Sequence, residues 1–291
     1  MKNFISIDFG HTNTVISVWN NGYVQSLKFD EIGHNYLENK HKVLVPSIIG
    51  WSEENCITIG TKAASQKILG IKRLLFEDPQ QLISICDNEK SIKEWASCFF
   101  KKLIPQKYEH IVITVPTQSL STEQNKAYFN KLKAYTNMIK EILSKSIRGA
   151  KIHILEESIA TFCGLQLQRI KNSPNQYVCI IDIGAFTTNL YFAQFISDQQ
   201  LQSGKIPPLY KTSIMFAGRN FDQKIMERLD LSSILEAEKK KIEISSRPYQ
   251  ASETHKSKIK WIVNEFFANH LLPLKGEIMK YVKQGDRLSI F

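Results

Sequence analysis

The sequence predicts an α/β protein built from two related lobes, and three observations lead there. The block Phe4–Trp19, FISIDFGHTNTVISVW, returns at Val178–Phe192 as VCIIDIGAFTTNLYF. Aligned on Ile7-Asp8 and Ile181-Asp182, both copies give Ile-Asp-x-Gly-x-x-x-Thr inside a hydrophobic frame. A repeat so far apart in the chain marks two related units, each offering one turn to a shared cleft. Each copy is followed by further strand and helix patterns, and 291 residues suit two medium domains or one bilobed unit.

Taken in order, each copy reads as a strand ending in Asp, a tight turn opened by Gly10 or Gly184, and a second strand. Asn20-Asn21-Gly22 is a hairpin signal suited to a type I′ turn, so Tyr23–Phe29 returns as a third antiparallel strand. Residues 30–42 are polar and predict a loop. Val43–Trp51 and Cys56–Ile59 read as short strands, and Thr61 is placed to cap a helix running from Lys62 toward Leu69. Ile92, Trp95, Phe99 and Leu103 recur at helical spacing and predict an amphipathic helix over Ser91–Leu103. His110–Val115, β-branched and ended by Pro116, reads as a buried parallel strand. Ser121-Thr-Glu-Gln124 matches a capping box for a long helix reaching about Ser146. A strand at Ile152–Leu155 and a helix at Glu157–Ile170 close the first lobe.

Asn172-Ser-Pro-Asn175 is the natural boundary, giving lobes 1–171 and 172–291. The second lobe predicts strands at Tyr177–Ile181, Thr188–Phe195 and Tyr210–Phe216, then helices from Asn220 to Leu229 and Ser232 to Ile244. A further helix over Ser257–Val282 must kink or break at Pro273. Leu288–Phe291 starts a fourth strand, so by comparison with the first lobe this one is expected to be incomplete.

Composition narrows the function classes. The chain is 43% hydrophobic and 23% charged, ordinary for a globular protein, and no apolar run approaches a bilayer span. With no signal-peptide pattern and five dispersed cysteines lacking any CxxC, it reads as cytoplasmic, with buried free thiols rather than disulfides or zinc. The net charge of +10 comes from Lys and Arg spread along the chain. No aromatic and basic platform accompanies them, which argues against nucleic acid and for a solvated basic surface.

The two turns carry the chemistry. Gly10 and Gly184 let backbone approach a bulky anion and aim consecutive N–H groups at it. Thr12, Asn13, Thr187 and Thr188 add short donors beside those amides. Asp8 and Asp182 are hard oxygen ligands that, next to a polyphosphate, suit Mg²⁺ through its retained waters. The plainer reading is two hairpins whose Asp residues initiate turns. Agreement of the copies in order and residue type favours a phosphate clamp.

Seven pieces then fall in one order along nearly the whole chain. They are IDFGHTNT, VPSIIGW with ITIGTKAAS, GIKRLLFEDP, ITVP, ILEESIATFCGL, IDIGAFTTNL, and AGRNFD with EAEKKKIEIS. In that order the chain resembles the nucleotide-binding domain of the seventy-kilodalton heat-shock (DnaK-type) chaperones, within the actin and sugar-kinase superfamily. The resemblance implies an actin-like ATPase fold of two ribonuclease-H-like lobes around a nucleotide cleft. It implies Mg²⁺ and ATP or ADP held by Gly10, His11, Thr12 and Asn13 of one turn and Gly184, Ala185 and Thr187 of the other. Asp8 and Asp182 would hold the magnesium through water, and Lys72 would reach the γ-phosphate and the attacking water. Glu157, opening Glu-Ser-Ile-Ala, would position that water, with Glu156 as the second choice. Gly218, Glu238 and Lys241 would approach the adenosine.

Departures from the family pattern set the alternatives. His11 replaces a small hydroxyl residue, Ala185-Phe186 replaces two glycines, Asn189 replaces a carboxylate, and Ile242 stands where an arginine would stack on adenine. The glycine-rich second half of the adenosine site and the peptide-binding domain have no counterpart in this sequence. The leading expectation is a chaperone-like domain that binds Mg·ATP and hydrolyses it slowly. Set against it are a degenerate pseudo-ATPase serving as a protein-interaction or self-association module through the open second lobe, and an actin-like filament-forming ATPase. A small-molecule kinase would need a catalytic base and a substrate pocket, and the sequence offers no sign of either.

Overall fold

The computed structural model describes residues 4–20, 23–33, 42–54, 56–105, 108–118, 126–167, 176–194, 207–246, 252–284 and 286–290. The chain divides into two compact units, Met1–Ala160 and Thr161–Phe291. The Asn21-Gly22 turn tip, His34, His41, the Ser121–Gln124 capping box and the Asn172–Asn175 boundary lie outside the described residues.

The first unit opens with β1 (Phe4–Phe9), β2 (Asn13–Asn20) and β3 (Tyr23–Ser26), paired antiparallel in succession. In β1, Ile5, Ile7 and Phe9 are fully buried while Ser6 and Asp8 face the other way, the two-residue alternation of a strand with one core face. The expected Val43–Trp51 strand is two, β4 (Leu44–Pro46) and β5 (Ile48–Trp51), split at Ser47. β4 pairs with β2, whereas β5 joins β6 (Ile57–Ile59) and β7 (Ser65–Leu69) in a separate sheet of order β6-β5-β7.

β7 corrects the helix expected from Lys62 to Leu69. Residues Gly60–Lys62 form a single 3₁₀ turn, and the Thr61 hydroxyl donates to Glu31 O at 3.2 Å instead of capping a helix. The next residues pair with β5, with Ile49 opposite Ile68, and bury Ile68. A ladder along an existing strand outweighs the helix preference of so short a segment.

α1 (Ile71–Glu77) follows, then a hairpin of β8 (Leu82–Ile85) and β9 (Asn88–Ser91) that turns through Cys86 and Asp87, both at positive φ. α2 (Ile92–Leu103) begins at Ser91, whose hydroxyl accepts from Glu94 N while the Glu94 carboxylate accepts from Ser91 N at 2.8 Å. Its apolar face meets β1: Phe9 packs against Phe99 and Phe100 at 5.9 and 4.9 Å between ring centroids. β10 (His110–Val115), α3 (Lys126–Ser146), β11 (Lys151–Glu156) and α4 (Glu157–Leu167) complete the series. β10 runs parallel to both β1 and β11, giving the order β11-β10-β1-β2-β3.

The second unit repeats the opening: β12 (Gln176–Ile183), β13 (Thr188–Gln194) and β14 (Tyr210–Ile214) are antiparallel in succession. α5 (Gly218–Leu229), α6 (Ile234–Ser246) and α7 (Glu253–Phe266) follow, the last capped by the Ser252 hydroxyl. The expected break near Pro273 is made by a π-helical turn over Phe267–Leu271, after which Pro273 sits in the first turn of α8 (Leu272–Met279). β15 (Arg287–Ile290) pairs parallel with β12, so the sheet order is β14-β13-β12-β15.

All five cysteines are free, but the expectation of buried thiols holds fully only for Cys179, whose burial pushes its pKa to about 11. Cys56 is exposed. Among the described residues no helix is long and apolar enough to cross a membrane.

Candidate functional site

The first glycine turn joins β1 to β2 and is tied down from a distance. A Cβ at Gly10 would sit 2.2 Å from Asn13 O, so the turn folds its own backbone where only glycine fits. Neither Gly10 nor Gly184 takes a positive φ, so what glycine supplies at these turns is close backbone approach rather than left-handed freedom. Ser47, fully buried between β4 and β5, staples the turn: its N–H donates to Thr12 O at 2.8 Å and its hydroxyl to Gly10 O at 2.8 Å. The same hydroxyl meets the buried Thr14 Oγ1 at 2.9 Å. Thr12 itself is exposed and Asn13 opens β2 opposite Pro46.

Three charged side chains gather beside that turn. Asp8 leaves the non-core face of β1 and accepts a hydrogen bond from Thr114 Oγ1, at the end of parallel β10, at 3.0 Å. Lys72, in the first turn of α1, is buried, and its Nζ donates to Glu157 Oε1 at the start of α4. The side chains of this pair are 6% and 11% exposed. Burial raises the Asp8 pKa above its ordinary 3.8; the Lys72 charge pulls it down, Glu157 pushes it up, and the Thr114 hydrogen bond lowers it. Asp8 keeps solvent access at the strand end while the surrounding protein strips part of its hydration.

His11 does not stand in open space. Gly70, the left-handed residue (φ +65°) that precedes α1, lies against its ring: a Cβ there would come 2.5 Å from His11 Cε1. The imidazole of the turn and the helix carrying Lys72 are thereby in direct contact. Glu156, the other carboxylate considered, accepts from Gln118 N at 3.2 Å, so it is Glu157 that shares the cluster with Lys72 and Asp8.

In the second unit the turn after β12 is bonded to the start of α5. Gly184 N donates to Thr187 O at 3.0 Å, Gly218 N to Gly184 O at 2.8 Å and Arg219 N to Ala185 O at 2.9 Å. A Cβ at Gly218 would come 3.1 Å from Gly184 O, so the glycine permits this docking. Thr187 is buried, and the Thr188 hydroxyl donates to Phe216 O at 2.6 Å, away from the role of an extra donor. Asn189, fully buried, accepts from Ser213 Oγ at 2.9 Å, a polar contact a neutral amide makes without burying charge. Asp182 is half-buried at the end of β12. On α6, Lys241 Nζ reaches the buried Asp222 of α5 at 2.6 Å. Glu238 lies half-buried one turn earlier.

No family model matches the chain. Over 257 residues it is 24% identical to the chaperone protein DnaK of Carsonella ruddii (strain PV), a match covering 79% of this chain and 40% of that protein. The chain thus spans about two-fifths of the length of the curated relative it matches. It is similar to a DnaK chaperone, and its mixed α/β architecture is compatible with an actin-like fold.

Sequence reasoning named Asp8, Lys72 and Glu157 separately, and the structure brings them together in the first unit. It missed Thr114, Ser47, Gly70 and Asp222. A signal existed for all four, since they sit inside ITVP, VPSIIGW, GIKRLLFEDP and AGRNFD; their contacts, made between distant parts of the chain, left none. Among the described residues no group of three or more His, Cys, Asp or Glu side chains is gathered to hold a metal.

Proposed function

We propose that this chain is a heat-shock-chaperone-like nucleotide-binding domain that binds Mg·ATP and hydrolyses it slowly. The observation that carries the reading is the buried Lys72–Glu157 pair beside Asp8, at the mouth of a glycine turn. Phosphoryl transfer to water needs charge neutralisation and an aimed nucleophile more than covalent chemistry. Lys72 supplies the cation to the γ-phosphate, and Glu157 accepts a hydrogen bond from the attacking water and orients it. The water oxygen bonds to phosphorus, the bond to the ADP oxygen breaks, and the proton leaves with the phosphate product.

Asp8 fits a magnesium ion held mostly by its own waters. That ion keeps several waters and binds through one or two carboxylates plus substrate phosphates, and Asp8 is a single solvent-facing carboxylate beside a glycine turn. When bound, magnesium would neutralise charge on the phosphates. Within the second unit, the Gly184 turn with its neighbour Gly218 is the other phosphate-binding candidate, and Glu238 and Lys241 are the candidates for the adenosine. Slow turnover follows from the pair itself, because Lys72 must give up a buried partner before it can serve a phosphate.

A second reading, a pseudo-ATPase acting as a protein-interaction module, is favoured by one feature of the second unit. An apolar groove of about 520 Å³ runs between β12, β15 and α8, with Phe267, Leu272, Met279 and Ile290 exposed along it. Titration calorimetry with ATP and ADP, with and without Mg²⁺, separates the two. Magnesium-dependent binding supports the nucleotide domain; no binding moves the function to the groove, and sedimentation across concentrations then tests self-association.

A further inference from the structure

The sequence repeat lets the two units be compared position by position, and one pair of positions differs sharply. Aligned on Ile7 and Ile181, Ile5 of β1 corresponds to Cys179 of β12. Ile111 of β10 lies opposite Ile5 and is fully buried, whereas Ile290 of β15 lies opposite Cys179 and is 64% exposed. The helices that precede these two strands also correspond. α2 packs on β1 through Phe99 and Phe100, and α8 packs on β12 through Ile278. In the first unit α3 lies along α2 and buries Leu132, Tyr135, Ile139 and Leu143, while β11 pairs with the far edge of β10. In the second unit, among the described residues, β15 ends the sheet, and the matching place beside α8 is the apolar groove of about 520 Å³.

Charge on the groove wall selects what fits there. In the first unit Lys93 of α2 meets Glu141 of α3 at 2.7 Å, a lysine on the inner helix facing a carboxylate on the outer one. On the second wall Lys275 lines the groove, Lys260 lies one turn before its lining residue Asn264, and Lys283 stands between α8 and β15. None of these three lysines has an acidic partner among the described residues. The acids nearby are engaged: both Glu277 oxygens accept from Lys280 at 2.7 Å, Glu265 pairs with Lys224, and Asp286 accepts from Lys283 N at 2.7 Å. From Phe267 to Met279 the helical wall rises about 18 Å, room for one helix of three turns. We propose that the groove docks an amphipathic helix of a partner protein whose polar face is acidic, seated beside α8 as α3 is beside α2. A second copy of this chain is the poorer occupant, because a net charge of +10 sets like charges against each other. The inference rests on the interaction-module reading of the second unit and needs no nucleotide.

The probe is a fluorescent peptide of the α3 sequence, Lys126–Ser146, with Lys126, Lys131, Lys133, Lys140 and Lys145 replaced by Glu; the unaltered α3 peptide is the control. Titrated with the full chain and read by anisotropy, the acidic peptide should bind saturably, about tenfold or more tighter than the control. Lys275→Glu should shrink that preference by about tenfold. Leu272→Glu and Ile290→Glu, at residues 60% and 64% exposed, should each abolish binding from opposite walls of the groove. Both variants should melt at the parent temperature, since neither side chain is buried in the chain alone. No binding, equal affinity for the two peptides, or binding that survives both wall variants overturns the inference. So does a concentration-dependent dimer that the acidic peptide dissociates, because the occupant is then a second copy. Calorimetry with Mg·ATP on the same sample scores the nucleotide reading separately, and either can fail while the other stands.

Discussion

Replacing Lys72 with Met keeps the stem and removes the charge, and the geometry sets the size of the effect. Both side chains of the pair are roughly nine-tenths buried, so the loss of one partner strands the other's charge away from water. Breaking such a pair costs about 3–5 kcal/mol, whereas replacing both partners with neutral groups of similar shape is often neutral. Lys72→Met and Glu157→Gln should therefore each destabilise the first unit by about 3 kcal/mol, and the double variant should return close to the parent. With a urea slope of about 2 kcal/mol/M, each single variant lowers the unfolding midpoint by about 1.5 M. Tryptophan fluorescence reads this well, because Trp95 is fully buried in the same unit and its indole N–H donates to Ile83 O at 2.8 Å. In nucleotide titrations Lys72→Met should keep most of the affinity and lose hydrolysis. A Lys72→Met midpoint equal to the parent's would show that the pair is not formed in solution. A double variant as unstable as the two singles combined would show that the residues are not coupled.

Asp8→Asn should abolish magnesium-dependent ATP binding yet leave the protein at least as stable as the parent at pH 7. Because burial raises the Asp8 pKa above 3.8, the folded chain binds more protons than the unfolded one between 3.8 and the raised value, so parent stability falls as pH rises through that window. Denaturation at pH 3 and pH 7 checks the sign: the variant's advantage should vanish at pH 3, and a variant less stable than the parent at pH 7 would contradict it. Gly70→Ala places a Cβ 2.5 Å from the His11 ring on a left-handed backbone, and should cost about 1–2 kcal/mol. His11→Ala in the same chain should recover the steric part in thermal melts, and no recovery would refute the contact. Lys241→Met strands the buried Asp222 and should cost about 2 kcal/mol, less than a fully buried pair because Lys241 is 34% exposed. An unchanged second-unit melt would exclude that ion pair.

How far the chain could be read from its sequence depends on the range of the forces involved. β1 and β2 were legible because Ile5, Ile7 and Phe9 alternate with polar residues, and α2 because Trp95, Phe99 and Leu103 repeat at helical spacing. Both are local patterns set by backbone period. β7 was not legible: Ser65–Leu69 becomes a strand only because β5 offers it a ladder. The β8–β9 hairpin escaped because Cys86 and Asp87 take the left-handed turn that Asn-Gly usually announces. In the site, the identities of Asp8, Lys72 and Glu157 could be read from motifs. Their pairing could not, because the Asp8–Thr114 and Lys72–Glu157 contacts are made by tertiary packing that leaves no periodic trace.

The wide spacing of those partners along the chain has a consequence for how the molecule is made. Thr114 and Asp8 are 106 residues apart, and Lys72 and Glu157 are 85 apart. A ribosome releases the Gly10 turn and the lysine helix first, and the carboxylate that neutralises Lys72 emerges on the order of ten seconds later. Until then the lysine must remain hydrated, and α1 cannot settle into its final packing. Closing so distant a contact is slow, because the loop entropy must be overcome before the pairing rewards it. The Lys72–Glu157 bond is therefore a late seal on the first unit, and a nascent chain exposes its phosphate turn well before it can fill it productively.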